Sequence, residues 1–132
     1  MPNRITVMRV RKYDAPNINQ ELQWIGSSLG LFNLRDKDSS CFRVFITLVR
    51  TARQNKPLTS DEIAEKLRLS RGTVVHHLTR LMEAGIVLRE RKGYLLRETN
   101  LQDVIKDVHR DMEAVFAEML EIAQEADRQL GS

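Results

Sequence analysis

Cations and hydrogen-bonding side chains recur between residues 60 and 92 in a pattern that suits binding of a polyanion. A guanidinium or ammonium group binds phosphate, and an arginine can also form two parallel hydrogen bonds to the edge of a guanine. Hydroxyl and imidazole groups add donors and acceptors for the same partners. The residues that could do this chemistry are Ser60, Ser70, Arg71, Thr73, Val75, His76, Arg80, Arg89, Arg91 and Lys92.

Other kinds of site are excluded by what the sequence lacks. It contains no H-E-x-x-H motif and no phosphate-binding glycine loop, and we expect no enzyme on this basis. The single cysteine, Cys41, cannot form an internal disulfide or a cysteine zinc site. No apolar run approaches the roughly 18 to 20 residues that span a bilayer, and the N-terminus lacks the apolar region of a signal peptide. We therefore expect a cytoplasmic protein that is not an enzyme, needs no cofactor and does not enter a membrane.

Charge is distributed unevenly along the 132 residues. Residues 1–57 carry a net charge of +6 and residues 58–97 a net charge of +3, whereas residues 98–132 carry −6. A basic body favours a polyanionic partner, because lysine and arginine displace the counterions that condense around phosphates. The acidic end is then expected to point away from that partner. A mixed solvated surface followed by an acidic helix is the alternative interpretation.

Two short helices separated by a tight turn are predicted in the middle of the chain. The first begins at a capping box, in which Thr59 caps the helix and Glu62 reaches back to it, and it ends near Arg68. Ser70 caps the second helix, and Gly85 stands where a helix commonly ends. The buried stripe of the second helix consists of Val74, Leu78 and Leu81. This arrangement is typical of a helix-turn-helix.

A β-hairpin is predicted directly after the second helix. Two short apolar runs, residues 86–90 and residues 94–97, flank a basic turn of Arg91, Lys92 and Gly93. Apolar runs on either side of a turn that contains glycine indicate a hairpin. A hairpin that follows a helix-turn-helix and carries cations at its tip is a wing. The sequence therefore predicts a mostly α-helical fold with a small β-hairpin wing, that is, a winged helix-turn-helix.

The segment LTSDEIAEKLRLSRGTVVHHLTRLMEAGIVLRERKGYLL, residues 58–96, resembles the winged-helix domain of ArsR/MarR-type regulators. Its central part, SRGTVVHHLTRLMEAGIV, is similar to the ArsR-like recognition helix. The resemblance covers roughly residues 40–97. It implies a three-helix winged fold, a homodimer, and sequence-specific binding of double-stranded DNA near a promoter.

The helical period separates the two faces of the expected recognition helix, residues 70–84. If the apolar stripe faces inward, the opposite face and its flanks enter the major groove, where the first residues of a recognition helix reach base edges. We expect base contacts from Arg71, Thr73, Val75 and His76. Phosphate contacts are expected from Ser60, Ser70 and Arg80. The wing, residues 89–97, is expected to contact the backbone or minor groove through Arg89, Arg91 and Lys92.

Some of these residues also have a purely structural interpretation. Ser70 caps a helix whether or not DNA is bound, and Arg80 could pair with a neighbouring glutamate. His77 lies near the buried side and is expected at the edge of the core. Val75 stands where the resembled family often has serine, and an apolar side chain there could contact a thymine methyl group.

A long C-terminal helix is predicted from an apolar repeat of 3.5 residues that continues for about seven turns. Such a helix cannot bury its apolar face alone, so we expect it to pair with its copy in a homodimer; packing within one chain is the alternative. The predicted dimer interface consists of Leu101, Ile105, Val108, Met112, Val115, Met119 and Ile122. The acidic residues expected on the outer face, in water, are Asp103, Asp107, Asp111, Glu118, Glu121 and Glu125. Two recognition helices related by a two-fold axis would read an inverted repeat whose half-sites lie roughly 34 Å apart.

Three segments follow from these patterns. Residues 1–35 are expected to form an N-terminal strand and helix extension, residues 36–97 the DNA-binding domain, and residues 98–132 the dimerisation helix.

The N-terminal part of the chain is predicted from weaker patterns. Alternating β-branched residues indicate a short strand over residues 4–12, and apolar spacing indicates helices over residues 19–33 and 41–55, with a polar loop over residues 33–40. The extension could widen the dimer interface or bind DNA through its cations. Those cations are Arg4, Arg9, Arg11 and Lys12.

A metal site is not expected. Many members of the resembled family sense a metal, but Cys41 lacks the second cysteine of a thiolate sensor. Asp107 and His109 are similar to half of a carboxylate and histidine zinc site of that family. The positions expected to complete it are Leu120 and Ala123, which cannot bind zinc.

Two other functions are compatible with the sequence. A winged helix can act as a protein-interaction module of transcription or other macromolecular machinery, without base readout. A sensor of oxidant or zinc that acts through Cys41 would change its DNA affinity with either agent. The sequence identifies no small-molecule effector and no operator.

Overall fold

The computed structural model describes residues 4–15, 17–32 and 39–131 of the chain. Its helices and strands confirm the predicted fold, which is mostly helical with a two-stranded hairpin directly after the helix-turn-helix. In chain order they are α1 (Ile18–Ser28), α2 (Ser40–Thr51), a short 3-10 turn (Ala52–Gln54), α3 (Ser60–Leu67), α4 (Arg71–Glu83), β1 (Val87–Glu90), β2 (Gly93–Leu96) and α5 (Leu101–Gln129).

Helices α3 and α4 begin at the caps that the sequence predicts. The Thr59 hydroxyl accepts the backbone N–H of Glu62 at 3.0 Å, and the Glu62 carboxylate accepts the N–H of Thr59 at 3.1 Å. At the start of α4, Ser70 Oγ accepts the N–H of Thr73 at 3.1 Å. Between the helices, Arg68 has a left-handed backbone with a φ of 56°, which ends α3. The start of each helix is thus set by residues within one turn of it.

The hydrophobic core lies between α2, α3 and α4, and the hairpin covers one side of it. The predicted stripe of α4, Val74, Leu78 and Leu81, is completely buried. Burial of one such side chain contributes about 1.5–3 kcal/mol, so the stripe determines the rotation of α4 about its axis. Other residues of this core include Val44, Phe45, Leu48, Ile63, Ile86 and Val104.

The wing is joined to the start of α3. Leu58 exchanges two backbone hydrogen bonds with Tyr94 of β2, at 2.9 and 2.7 Å. Gly93 has a positive φ of 141°, and a Cβ there would lie 2.4 Å from the Leu58 carbonyl oxygen. The tip of the hairpin therefore requires glycine, because the backbone in front of α3 approaches it so closely.

Residues 4–12 form neither a helix nor a strand, so the strand predicted there is wrong. We call residues 4–12 the N-terminal strap. Its backbone bonds to helices instead of to a neighbouring strand: the Arg4 N–H donates to the Glu83 carbonyl at 2.7 Å. The indole N–H of Trp24, in α1, donates to the Val10 carbonyl at 2.9 Å. Within the described residues, the two strands of the wing are the only strands.

Helices α1 and α2 are both shorter than predicted. α1 ends at Ser28 instead of continuing to residue 33, because Gly30 adopts a left-handed backbone with a φ of 69°. α2 spans Ser40–Thr51, and only the 3-10 turn continues it. The loop predicted over residues 33–40, which contains the first domain boundary, lies mostly outside the described residues.

Arg97, just after β2, connects the wing to α5. Its Nη1 donates to Asp111 Oδ2 at 2.6 Å, and its Nε lies 3.3 Å from Asp107 Oδ2. Asp107 also lies 3.2 Å from Nη1 of Arg110, and its side chain is only 9% exposed. The expectation that the acidic residues of α5 face water is therefore wrong for Asp107 and Asp111. Both carboxylates turn inward because a half-buried guanidinium lies between them.

The carboxylate of Asp107 is held in its charged form. A hydrogen bond with the Glu98 side chain lowers the pKa of Asp107 most, and the charges of Arg97 and Arg110 lower it further against the opposing effect of desolvation. The same hydrogen bond with Asp107 raises the pKa of Glu98. When one proton is shared by this pair, it therefore resides on Glu98.

We expect Asp107→Asn to destabilise the fold and to remove part of its acid sensitivity. Because the pKa of Asp107 is lowered in the folded state, its ion pairs contribute fully above about pH 4 and are lost as the pH falls through the lowered pKa. Glu98 acts in the opposite sense. Because its pKa is raised in the folded state, its contribution to folding stability is lost as the pH rises through that pKa. The measurement is the midpoint of thermal unfolding at several pH values from about 2 to 7, by circular dichroism.

The matched control is Glu113→Gln, which removes an exposed carboxylate 3.3 Å from His109 on the same helix. Exposed pairs of this kind contribute little, so the midpoint should stay unchanged. Equal midpoints for the two variants at neutral pH would contradict a stabilising role of Asp107.

Candidate nucleic-acid interface

A basic cleft of about 650 Å³ opens between the start of α3, the start of α4 and the wing. We call it the wing cleft. It is lined by Thr59, Ser60, Arg71, Val75, Arg89, Glu90, Arg91, Lys92, Gly93 and Tyr94. The fold thus brings six of the predicted contact residues into one cleft, and four of its lining side chains are cationic against a single glutamate.

The outer face of α4 presents the side chains predicted for base contact. Arg71, Val75 and His76 are exposed, and Thr73 is half-buried on the flank. Gly72 lies among them, and a Cβ there would meet no atom within 4 Å. A helix with its side chains is about 10–12 Å wide, which matches a major groove about 12 Å wide. The first turns of α4 are therefore accessible to a duplex.

Ser70 and Thr73 are hydrogen-bonded to each other at the start of α4. The Ser70 hydroxyl donates to Thr73 Oγ1 at 2.8 Å and accepts the Thr73 N–H, so the interpretation of Ser70 as a cap is confirmed. The N–H groups of Arg71 and Gly72 lie in the first turn, where a helix supplies no acceptor of its own. This end of α4 therefore favours an anion. Ser60, at the start of α3, is only 9% exposed at the edge of the wing cleft.

The cations of the wing cleft are nearly free of internal ion pairs. Among the described residues, Arg89, Arg91 and Lys92 form none. Arg71 lies 3.5 Å from a carboxylate oxygen of Asp61, and both side chains are more than two-thirds exposed, at 71% and 76%. An exposed pair contributes at most about 1 kcal/mol, so the Arg71 guanidinium can readily exchange this partner for a phosphate or a base.

Most ion pairs of the described residues involve α5. Five of the six found among the described residues involve a carboxylate of α5. Carboxylates that are neutralised by nearby arginines repel a polyanion less than free ones do, and they leave the cations of the wing cleft without competition. The charge asymmetry of the sequence is thus also an asymmetry in space.

Arg80 and His77 occupy different surroundings on α4. Arg80 is half-buried, and no carboxylate of the described residues lies within ion-pair distance of it, so the alternative of pairing with a neighbouring glutamate is not observed. His77 is 8% exposed, and its Nε2 lies 2.6 Å from Ser40 Oγ. The prediction of His77 as a core-edge residue is confirmed.

Cys41 is buried at the start of α2. It is 1% exposed, and its thiol donates to the Leu31 carbonyl at 3.3 Å. Sensor cysteines are accessible thiolates, so this position does not favour a redox role. In the described part of the chain, no three His, Cys, Asp or Glu residues are grouped so that they could hold a metal ion.

The apolar stripe of α5 divides into an inner and an outer part. Val104 and Val108 are buried in the core of their own chain, and Leu101 packs against that core. Every described residue from 113 to the end of α5 is exposed. The large apolar side chains that α5 exposes are Ile105, Val115, Phe116, Met119, Leu120 and Ile122, while Met112 is half-buried.

Sequence reasoning did not single out three residues that matter for the arrangement of the interface, namely Gly72, Tyr94 and Arg97. Gly72 interrupts a helical pattern, and a glycine there indicates close approach of a partner or a packing need. Tyr94 holds the wing cation Arg89, whose guanidinium lies 5.7 Å from the tyrosine ring. Arg97 follows an apolar strand and precedes an acidic helix, a pattern that could have indicated its ion pairs.

Comparison with known proteins agrees with this geometry. Residues 52–88 match the family model for the bacterial regulatory protein, arsR family. The matched stretch runs from the 3-10 turn into β1, so it contains both helices of the helix-turn-helix. No curated protein and no solved structure is significantly similar to the chain, and no helix among the described residues could span a membrane. This stretch of the chain is therefore similar to the helix-turn-helix domain of ArsR-family regulators, which supports a DNA-binding role in transcription.

Proposed function

We propose that the protein is a dimeric regulator that binds double-stranded DNA and reads an inverted repeat through α4 and the wing. The wing cleft is the observation that carries this proposal, because three of its four cations form no ion pair with any described residue and the fourth forms only an exposed one. Release of condensed counterions makes such a surface bind phosphates. The family match supports the DNA-binding part, and α5 supports the dimer.

Base readout is assigned to the exposed first turns of α4. The Arg71 guanidinium can donate two hydrogen bonds to O6 and N7 of a guanine, the commonest specific contact in a major groove. Val75 is 37% exposed and offers an apolar surface to a thymine methyl group. Thr73 and His76 flank these two residues. Arg89, Arg91 and Lys92 of the wing, together with Ser60 and Ser70, contact the backbone.

Dimerisation is assigned to the outer part of the α5 stripe. An isolated helix of this length would expose its apolar face over several turns, and contiguous apolar patches of this kind commonly mark an interface. The members of the stripe recur at the spacing of a coiled coil, and five of the seven predicted interface residues remain available on the surface or near it: Ile105, Met112, Val115, Met119 and Ile122. Residues 98–132 then form the dimerisation segment beside a DNA-binding domain of residues 36–97.

DNA affinity is expected to fall with salt, with a slope that reports the phosphates bound. Arg91→Ala and Lys92→Ala should each make the log–log slope shallower by about one, if each cation neutralises one phosphate. Fluorescence anisotropy on a duplex selected from a random library measures this. The control is Lys106→Ala, which removes one exposed cation from α5. Binding that is absent or independent of salt would contradict the proposal and favour a protein-interaction module.

Arg71 is expected to contribute sequence preference as well as affinity. Arg71→Ala should weaken binding to the selected duplex by roughly 1–3 kcal/mol and reduce discrimination against a single substituted base pair. Arg71→Lys keeps the charge but loses the planar pair of donors, so it should preserve the salt slope while it loses most of the discrimination. Competition binding with single-substitution duplexes measures both quantities. Unchanged discrimination in both variants would exclude Arg71 from base readout.

Phe116→Glu and Ile122→Glu are expected to shift the protein from dimer to monomer, because each places a charge in the proposed apolar interface. Ala117→Glu puts the same charge on the opposite, already exposed face of α5 and should leave the dimer intact. Light scattering after size exclusion measures the mass. The wild-type protein should run as a dimer, and a wild-type monomer at micromolar concentration would contradict this part of the proposal.

A further inference from the structure

A second groove, of about 590 Å³, lies on the flank of α4 away from the wing. We call it the strap groove, because the N-terminal strap and residues 29–31, directly after α1, form the wall opposite α4. Three of its lining side chains can bind an anion, namely Arg4, His76 and Arg80, and one lining side chain, Glu83, is acidic. The two guanidinium groups outweigh the single carboxylate, so the lining is net positive.

The strap is held in place on both sides of this groove. The Arg4 N–H donates to the Glu83 carbonyl and the Met8 N–H donates to the Ser28 carbonyl, each at 2.7 Å. Between them, Thr6 lies so close to Gly30 that a Cβ on the glycine would be 2.9 Å from Thr6 Cγ2. These contacts use backbone atoms at Arg4 and leave its side chain exposed. No carboxylate in the described part of the chain forms an ion pair with Arg4 or Arg80.

The two grooves lie on opposite flanks of the exposed face of α4. At about 100° per residue, Arg71 and Val75 line the wing cleft, whereas His76 and Arg80 project about 140° farther around the helix axis, toward the strap groove. A helix in the major groove has one phosphate backbone on each side of it, because those two backbones bound the groove. Cations on both flanks of α4 therefore match both strands of a single duplex.

We propose that the N-terminal strap is a second phosphate-binding element, in which Arg4 and Arg80 contact the DNA strand opposite the one that the wing contacts. The inference rests on the proposed function, and it assigns a role to a segment outside the helix-turn-helix. The strap groove is open along α4 and shares His76 with the base-reading face, so a backbone that follows the major groove would pass through it. A free phosphate compound is the other source of the same chemistry, and the test separates the two.

The test compares Arg4→Ala with Arg9→Ala. Both variants remove one exposed arginine from the same strap, but Arg9 does not line the strap groove. The salt slope and Kd are measured by fluorescence anisotropy on the selected duplex, and ethylation interference maps the phosphates that matter. Arg4→Ala should make the slope shallower by about one and should remove interference at one phosphate per half-site, on the strand not contacted by the wing. Arg9→Ala should change neither.

Equal slopes for the two variants, or a loss of interference on the wing strand, would overturn the proposal. If Arg4→Ala leaves DNA binding unchanged but abolishes binding of inorganic phosphate measured by calorimetry, the groove serves a free phosphate compound and the DNA assignment is wrong. If the salt slope changes with Lys92→Ala but not with Arg4→Ala, phosphate binding by the strap is refuted and the proposed function stands. If the wild-type protein shows no salt-dependent binding, the proposed function itself is refuted. Arg4→Gln, which keeps a longer polar side chain, repeats the test if Arg4→Ala lowers the unfolding midpoint.

Discussion

Burial of the inner face of α4 against α2 and α3 is the contact on which the interface depends. Val74, Leu78 and Leu81 have no exposed surface, and replacing one of these leucines by alanine typically costs about 2–5 kcal/mol. A rotation of α4 by one residue, about 100°, would expose part of this stripe and bury polar side chains in its place. The packing therefore forces Arg71, Val75 and His76 outward, and it sets the two flanks that face the wing cleft and the strap groove.

Arg97 joins the helix-turn-helix and the wing to α5. Its guanidinium contacts Asp107 and Asp111, while its backbone N–H donates to the Ile86 carbonyl at 2.9 Å at the base of the hairpin. One residue thus connects the wing, the end of α4 and the first turns of the long helix. In a dimer formed through α5, the separation of the two wings would be transmitted through this contact, because the ion pairs link the wing to the helix that sets the symmetry axis.

The fold separates charged side chains that form ion pairs from cations that remain accessible to a polyanion. Arginines lie beside three carboxylates of α5, whereas among the described residues the cations of the wing cleft and the strap groove form one ion pair, the exposed pair of Arg71. Since exposed ion pairs contribute little stability, this sorting has little effect on the fold and a large effect on which polyanion can approach, and from which side. None of the exposed apolar side chains of α5 lines the wing cleft or the strap groove, so the proposed dimer interface and the proposed DNA-binding surface use different residues.

Local patterns were sufficient for the helix-turn-helix and the wing, since caps such as Thr59 and Ser70, the apolar period of α4 and the glycine of the hairpin act over a few residues. The same patterns failed over residues 4–12, where alternation predicts a strand, because no strand of the described residues lies alongside and the backbone bonds to helices instead. They also failed for Asp107, whose partner Arg97 belongs to another element. Contacts between distant parts of the chain decide which cations have no ion-pair partner among the described residues, and they bring Arg4 and Arg80 to the same groove. No short stretch of residues specifies such contacts.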